Sequence, residues 1–287
     1  MSGELLPSEE MIVAQDFKLA DTAADFLATW LNHRLLSTES QKMVDDYYRN
    51  FRGMHSRRMR YWYNSQVEEA EAIVRQTPGL RVLEIGVGTG TECLWWAMRG
   101  AKVTGIDAFP HCVATTMERL EVLQRITGRT LDCSVKLAPI TDFQDADGFD
   151  LIWMEQAFHH LEPRIAVVEK IASLLRPGGR VVLSEANALN PLLQLQLFRA
   201  RGFKMTIDVK TEQGLVIYGN ERVLWRGALA RWFSRVGIDQ ESARYYRIFP
   251  SNAVFEHLFQ LERRISNQWL APLFSHYNFV GRKKLAP

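Results

Sequence analysis

Apolar and polar positions along the chain change period several times, and each change marks an element. Residues 12–36 carry Phe17, Leu19, Ala23, Phe26, Leu27, Trp30, Leu31 and Leu35 at helical spacing, with Asp21 or Thr22 placed to cap part of the stretch. Ser37-Thr38-Glu39-Ser40 break the pattern, and a second helical stretch follows through Tyr47 and Tyr48. Next comes a cluster of arginines and aromatics: Arg52, Arg57, Arg58, Arg60, Tyr61, Trp62 and Tyr63. Residues 67–76 read as a helix that Pro78-Gly79 stop. From residue 82 short apolar runs of strand length alternate with helical stretches as far as residue 186. That alternation predicts an α/β domain, a mostly parallel sheet with helices on both faces.

The last third is less regular. Asn190-Pro191 mark a turn, 192–198 a Leu- and Gln-rich helix, and an irregular basic segment extends to about Asn220. Residues 221–236 read as an amphipathic helix ended by Gly237, 243–249 as a strand, 254–265 as a helix and 276–281 as a final strand. The expected organisation is an N-terminal helical lid or extension over 1–66 and one domain over 67–287, with cap insertions at about 187–220 and 250–275. For 1–66, a helical layer packed on the sheet is the alternative to a lid.

The candidate chemistry sits at one strand-to-helix turn, Val82-Leu83-Glu84-Ile85-Gly86-Val87-Gly88-Thr89-Gly90-Thr91. The apolar residues before Gly86 fill a strand buried on both faces. The three glycines let a ligand approach the backbone closely. A dinucleotide fingerprint places its third glycine one position later, so the spacing differs. Glu84, an acid just before the glycines, suits a ligand presenting donors such as an ammonium group. About 20 residues on, the second strand ends at Asp107, an acid able to accept from two ribose hydroxyls. Together these imply a nucleoside bearing an amino-acid-like cation and no phosphates, which describes S-adenosylmethionine.

The segment resembles motif I of the class I S-adenosylmethionine-dependent methyltransferases, among them the small-molecule type 11 enzymes. Three later stretches match in order: 148–154 resembles the family's fourth strand, Phe158-His159-His160-Leu161 the turn after it, and 174–183 the loop into the fifth strand. The resemblance covers roughly residues 80–186. It implies a Rossmann-like seven-stranded sheet whose last strand, 276–281, runs antiparallel. It also implies S-adenosylmethionine as cofactor, bound by Glu84, Gly86, Gly88, Gly90, Asp107 and Ala108. Relatives often place an acid near Ala138 for the adenine amino group; here Asp142 is the nearest, which leaves the walls of Pro139 and Ile140 to hold the base.

Ligands of such sheets bind at the carboxyl ends of the strands. That selects Glu155 and Gln156, with His159 and His160 just beyond, and Glu185 and Asn187 after the fifth strand. Glu155 is the first candidate for cofactor or substrate contact, general base or stabilisation of developing charge. The histidines either take protons, His160 before His159, or merely orient their loop. Arg244 and Tyr246 alternate on one face of a predicted strand and, with Tyr61, are candidates for a polar substrate head; a solvated edge strand is the alternative. Leu192, Leu193, Leu195, Leu197 and Phe198 either line a lipophilic pocket or pack a helix.

Composition narrows the classes. With 35 basic and 33 acidic residues the formal charge is +2, too near neutral to argue for nucleic acid. Acids at Asp45, Asp46 and 68–71 dilute the arginine cluster. No apolar run approaches a membrane span, and 1–10 is polar without a signal pattern, so a cytoplasmic protein is expected. Cys93, Cys112 and Cys133 fit no zinc spacing; free thiols and no metal are expected. The expected activity is methyl transfer to a small, fairly lipophilic metabolite of lipid, isoprenoid or secondary-metabolite type, with a homodimer as the assembly to test. The rivals are a methyltransferase of protein or RNA and a catalytically silent binding module. No Asn-Pro-Pro-Tyr-like motif follows the fourth strand, which speaks against amide or exocyclic amine targets.

Overall fold

The computed structural model describes residues 7–51, 56–211, 214–249, 253–265 and 268–285. Arg52 of the basic cluster and the first six residues lie outside them. The N-terminal part is helical: α1 (Pro7–Leu19), α2 (Ala23–Asn32), α3 (Thr38–Tyr47) and α4 (Arg57–Gln76). The periodic stretch over 12–36 is two helices, with Thr22, one of the two expected caps, starting the second. Its Oγ1 accepts from the Asp25 N–H at 3.2 Å, while the Asp25 carboxylate accepts from the Thr22 N–H at 3.0 Å. Arg57 to Tyr63 of the arginine–aromatic cluster form about the first two turns of α4.

The central sheet follows. The elements are β1 (Arg81–Ile85), α5 (Thr91–Met98), β2 (Lys102–Asp107), α6 (Pro110–Thr127), β3 (Cys133–Leu137), β4 (Phe149–Glu155), α7 (Arg164–Leu174) and β5 (Leu175–Ala186). Then come α8 (Pro191–Arg201), β6 (Thr206–Thr211), β7 (Gly214–Gly219), α9 (Arg226–Ser234), β8 (Ile238–Tyr246), α10 (Phe259–Arg264) and β9 (His276–Lys283). Seven strands lie in the order β3-β2-β1-β4-β5-β9-β8. β9 runs antiparallel to both β5 and β8, and the other pairings are parallel. The order reverses at β1, which lies between β2 and β4, so a crevice opens at the carboxyl ends of those three strands.

Strand alternation sends residues to two separate cores. Val82, Val103, Leu151, Trp153 and Val182 face α5 and the N-terminal helices. Leu83, Ile85, Ile152, Met154 and Leu183 face α7 and α9. Phe17, Phe26, Trp30 and Trp95 pack ring against ring where α1 and α2 meet α5. Of the segment expected to act as a lid, α4 packs on β4, β5 and β9, while α1 and α2 pack over α4, α5 and α6. Among the described residues only the end of α3 reaches the crevice, through Tyr47.

Three expectations change in the last third. The segment to Asn220 is not irregular: β6 and β7 form a hairpin, signalled by the β-branched alternation of Ile207 and Val209. The helix expected over 221–236 is shorter, and β8 starts five residues before the predicted strand and ends three before it does, where Arg247 turns to φ 64°. The residues around α10 pack back on α4: Glu262, buried, accepts from the Trp62 indole N–H at 2.8 Å and from the Ile248 and Phe249 N–H groups. Among the described residues no helix is long and apolar enough to cross a membrane.

Candidate active site

The turn after β1 is set by contacts only glycine permits. Gly90 has φ 80°, and a Cβ there would meet the Thr116 side chain at 2.2–2.9 Å. Helix α5 therefore begins directly against α6, with its first N–H groups turned to the loop. Asp107, at the end of β2, closes the loop from the other side. Its Oδ2 accepts from the Gly88 N–H at 3.0 Å and its Oδ1 from the Phe109 N–H at 2.9 Å. Burial raises the Asp107 pKa, with these backbone donors opposing the shift. Each carboxylate oxygen keeps a further lone pair for a ligand hydroxyl.

The loop forms one end of a cavity of about 250 Å³. Gly86, Gly88, Asp107, Ala108, Pro139, Ile140, Glu155 and His160, all read from the sequence as candidates, line it together. Ile85, Ile106, Phe109, Ala138, Pro139 and Ile140 make an apolar wall fit for a flat ring. Asp142 is exposed and does not line the cavity. Tyr47 lies over the loop, so near that a Cβ on Gly88 would meet its ring at about 3 Å. Tyr218, from β7, closes the far side and stacks on His160, with centroids 4.4 Å apart.

Glu84 stands behind the loop rather than in the cavity wall. It is 3 % exposed, and its Oε2 has no hydrogen-bond partner. Burial, then the neighbouring Glu92 carboxylate, raises its pKa well above the ordinary range. Glu155 is raised in the same way, by burial and then by Glu92 and Glu185. The site is thus a concentration of buried acid, with the Arg119 guanidinium near Glu92. An unpartnered carboxylate oxygen beneath a glycine loop, a two-oxygen acid at the end of β2 and an apolar wall fit a nucleoside carrying an ammonium group, as S-adenosylmethionine does.

The histidine turn, a 3-10 turn at Phe158–His160, is fixed from behind. Glu185, 3 % exposed, accepts from the Phe158 N–H at 2.8 Å and from the His159 Nδ1 at 2.7 Å. Burial disfavours the charged form of His159, but the Glu185 carboxylate outweighs it and the pKa is raised. His160 is lowered, by burial and then by His159, and its Nδ1 donates to the Gly219 carbonyl at 2.8 Å. Gly219 lies so close to this turn that a Cβ would stand 2.2 Å from the His159 carbonyl oxygen. Gly219→Ala is expected to push β7 off the histidine turn and to cost about 1–3 kcal/mol, read as a lower unfolding midpoint in urea. An unchanged midpoint would mean that the hairpin does not pack there in solution.

Other candidates fall elsewhere. His159 and Glu185 support the wall without lining it. Asn187, fully buried, donates to the Ala271 and Phe274 carbonyls at 2.8 and 2.9 Å, which anchors the turn before β9. Arg244 does not face a cap. Its guanidinium is held by Glu69 and Glu68 on α4, and with Tyr61 it borders a separate surface groove. Tyr246 is buried with its hydroxyl 2.7 Å from Ser184 Oγ. Along α8, Leu192, Leu195 and Phe198 are exposed and stand outside the cavity. Gln156, selected with Glu155, also lines the cavity, whereas Tyr47, Phe109, Leu161 and Tyr218 were missed; aromatics at a helix end or in a hairpin carry no spacing signal of their own.

Residues 83–181 match the Methyltransferase domain family. The ubiquinone biosynthesis O-methyltransferase of Xanthomonas axonopodis pv. citri (strain 306) is 34% identical over 109 residues, 38% of this chain and 44% of that protein. The chain thus spans about half the length of the curated relatives it matches. In fold it is similar to a putative sarcosine dimethylglycine methyltransferase from Galdieria sulphuraria, with a TM-score of 0.55 at 12% identity over 79% of this chain and 88% of that one. It is similar too to the [4+2]-cyclase SpnF, with a TM-score of 0.50 at 16% identity over 76% and 81% of the two chains. The strand order, the glycine turn and the matched segment agree: residues 83–181 match the Methyltransferase domain family, and the sheet that carries them has the Rossmann-like fold of the S-adenosylmethionine-dependent methyltransferases.

Proposed function

We propose that the protein transfers a methyl group from S-adenosylmethionine to a small, fairly lipophilic metabolite. The observation that carries this reading is the convergence of the glycine loop, Asp107 and Glu155 on one apolar-walled cavity whose far end is His160, Leu161, Ile217 and Tyr218. The cofactor would rest its ribose on Asp107 and its base against Pro139 and Ile140, with the acids around Glu84 facing its cation. Bound there, it supplies an electrophilic methyl on a sulfonium.

The chain's residues do the rest. Tyr47 and Tyr218 cover the cavity and keep water from the reacting groups. Glu155 presents a carboxylate where positive charge resides, and His160 presents its Nε2 lone pair as an acceptor for a substrate hydroxyl or amine. A cavity enclosed by tyrosines on two sides suits a free small molecule better than a polymer. The relatives named for ubiquinone biosynthesis support a lipophilic acceptor of that general kind. The cyclase of similar fold makes the assay for methyl transfer necessary, since the fold by itself does not choose the reaction.

Calorimetric titration with S-adenosylmethionine and S-adenosylhomocysteine tests the cofactor, and transfer of labelled methyl to lipophilic hydroxylated or aminated acceptors tests the reaction. Failure of both ligands to bind would overturn the reading. The raised Glu84 carboxyl makes a sharper prediction. A cation bound beside Glu84 lowers its pKa, so binding releases protons. Between the ordinary carboxylate pKa and the raised value, affinity for S-adenosylmethionine is expected to increase with pH. Titration in two buffers of different ionisation enthalpy reads the released protons directly; proton uptake instead would contradict the placement of the cation. Glu155→Gln is expected to cut turnover by about 10–100-fold with cofactor affinity nearly unchanged. If cofactor affinity collapses instead, Glu155 belongs to the cofactor's own contacts.

A further inference from the structure

We propose that His159, His160 and Glu221 form a binding site for a divalent transition-metal ion of the zinc class at the edge of the cavity. Each of the three offers one ligand atom, and these atoms lie within 4.8 Å of one another. The two His Nε2 atoms stand 3.6 and 3.9 Å from the Glu221 carboxylate oxygens. Those separations are too long for hydrogen bonds. Donors held about 2.1 Å from a common ion sit roughly 3.0–3.6 Å apart, so small side-chain movements would close the set. Glu221, 40 % exposed at its side chain, is free to make them.

The support behind the two rings is what separates this cluster from a chance meeting of side chains. The Glu185 carboxylate and the Gly219 carbonyl are acceptors, so each Nδ1 must carry the hydrogen. In the neutral ring that leaves the Nε2 lone pair free, and both Nε2 atoms lie near the same carboxylate. Ligating histidines characteristically give their other N–H to a carboxylate or a backbone carbonyl, which fixes tautomer and ring orientation. Here both kinds of support occur side by side. Tyr218 holds the His160 ring flat on one face, and Gly219, with no Cβ, lets β7 come within reach of the His159 carbonyl. Glu221 lies two residues beyond Gly219, so the hairpin that completes the cavity also delivers the third donor.

Two imidazoles and one carboxylate suit a borderline-soft ion rather than magnesium or calcium. Three protein donors leave positions for water or a substrate oxygen, as in catalytic zinc sites. The role given to the ion rests on the methyltransferase reading above. His160 lines the cavity, so an acceptor hydroxyl entering there would coordinate the ion and lose its proton to solvent. The resulting oxyanion forms the new oxygen–carbon bond while the sulfonium carbon–sulfur bond breaks, and its electron pair stays on the departing thioether. The ion replaces His160 as the group that activates the hydroxyl, and it selects hydroxylated acceptors over amines.

The test is binding of the metal alone. Full-length protein stripped with a chelator is titrated with Zn²⁺ by calorimetry and with Co²⁺ by visible absorption. One ion per chain is expected, with affinity falling at least ~100-fold in Glu221→Gln and in His160→Gln. Glu221 is partly exposed, so its variant should keep the wild-type circular dichroism and unfolding midpoint. Absence of uptake by wild type, or undiminished uptake by Glu221→Gln, overturns the proposal. The same stripped sample is titrated with S-adenosylmethionine. Cofactor binding without metal uptake defeats this site alone, whereas metal uptake without cofactor binding upholds the site and defeats the methyltransferase reading.

Discussion

Asp107→Ala is expected to weaken S-adenosylmethionine binding by at least ~100-fold while leaving the sheet intact. The carboxylate does two things at once. It holds the Gly88 and Phe109 N–H groups, and so sets the shape of the loop and the start of α6. In the proposed cofactor placement it also offers its remaining lone pairs to the ribose hydroxyls. Hydrogen bonds to a charged group contribute about 1.5–3 kcal/mol each, so losing two costs two or more orders of magnitude in affinity. The substitution sits at the end of an interior strand whose backbone pairing with β1 and β3 is untouched. Calorimetry should therefore report lost binding at an unfolding midpoint within a few degrees of wild type. Retained affinity would mean that the ribose does not sit on Asp107.

Arg119→Ala is expected to have the largest effect on stability, about 3–5 kcal/mol. Arg119 is fully buried on α6, with its guanidinium 4.4 Å above the Trp30 ring. It donates to the Thr89 carbonyl at 2.6 Å and to Thr91 Oγ1 at 2.9 Å, and Thr91 also accepts from the Tyr48 hydroxyl at 2.7 Å. It lies close to Glu92, the acid that raises both Glu84 and Glu155. Its removal leaves a cavity under Trp30, an unpaired Thr89 carbonyl and buried acid with less compensation. Urea unfolding reads the loss, and a change below ~1 kcal/mol would show that the buried acids are neutral without it. The same contacts couple the N-terminal helices to the glycine loop: Trp30 comes from α2, Tyr48 follows α3, and both touch groups that shape the cofactor end of the cavity.

How much of the site was legible depended on whether chemistry was written in local spacing. Gly86, Gly88, Gly90 and Asp107 were found because the chain passes straight from strand to turn to helix, and one further strand brings the acid alongside. Pro139, Ile140, Glu155 and His160 were found because strand ends in such a sheet share one edge. Arg244 and Tyr61 were misplaced because alternation assigns a residue to a face but not to a neighbour. Glu69, on α4, takes the Arg244 guanidinium first. Tyr47 reaches the cavity from a helix end and Tyr218 from a hairpin far along the chain, with Glu221 at its edge, and nothing beside them in sequence marks that destination.

The sequence by itself determined the alternating architecture, the glycine turn, the carboxyl-end location of the site and the nucleoside-plus-cation character of its ligand. Those follow from hydrophobic period, from backbone conformations that favour glycine and from the order of strands, all of them local or nearly local. Only the tertiary structure decided that the N-terminal helices pack together and, among the described residues, reach the cavity through Tyr47, and that 206–219 is a hairpin closing it. It alone brought Glu185 behind His159, the Gly219 carbonyl behind His160 and Glu221 in front of both. The reason is physical: the partner of a buried polar side chain is whichever donor or acceptor the packing of distant elements brings within about 3 Å. No periodicity in the chain encodes that distance.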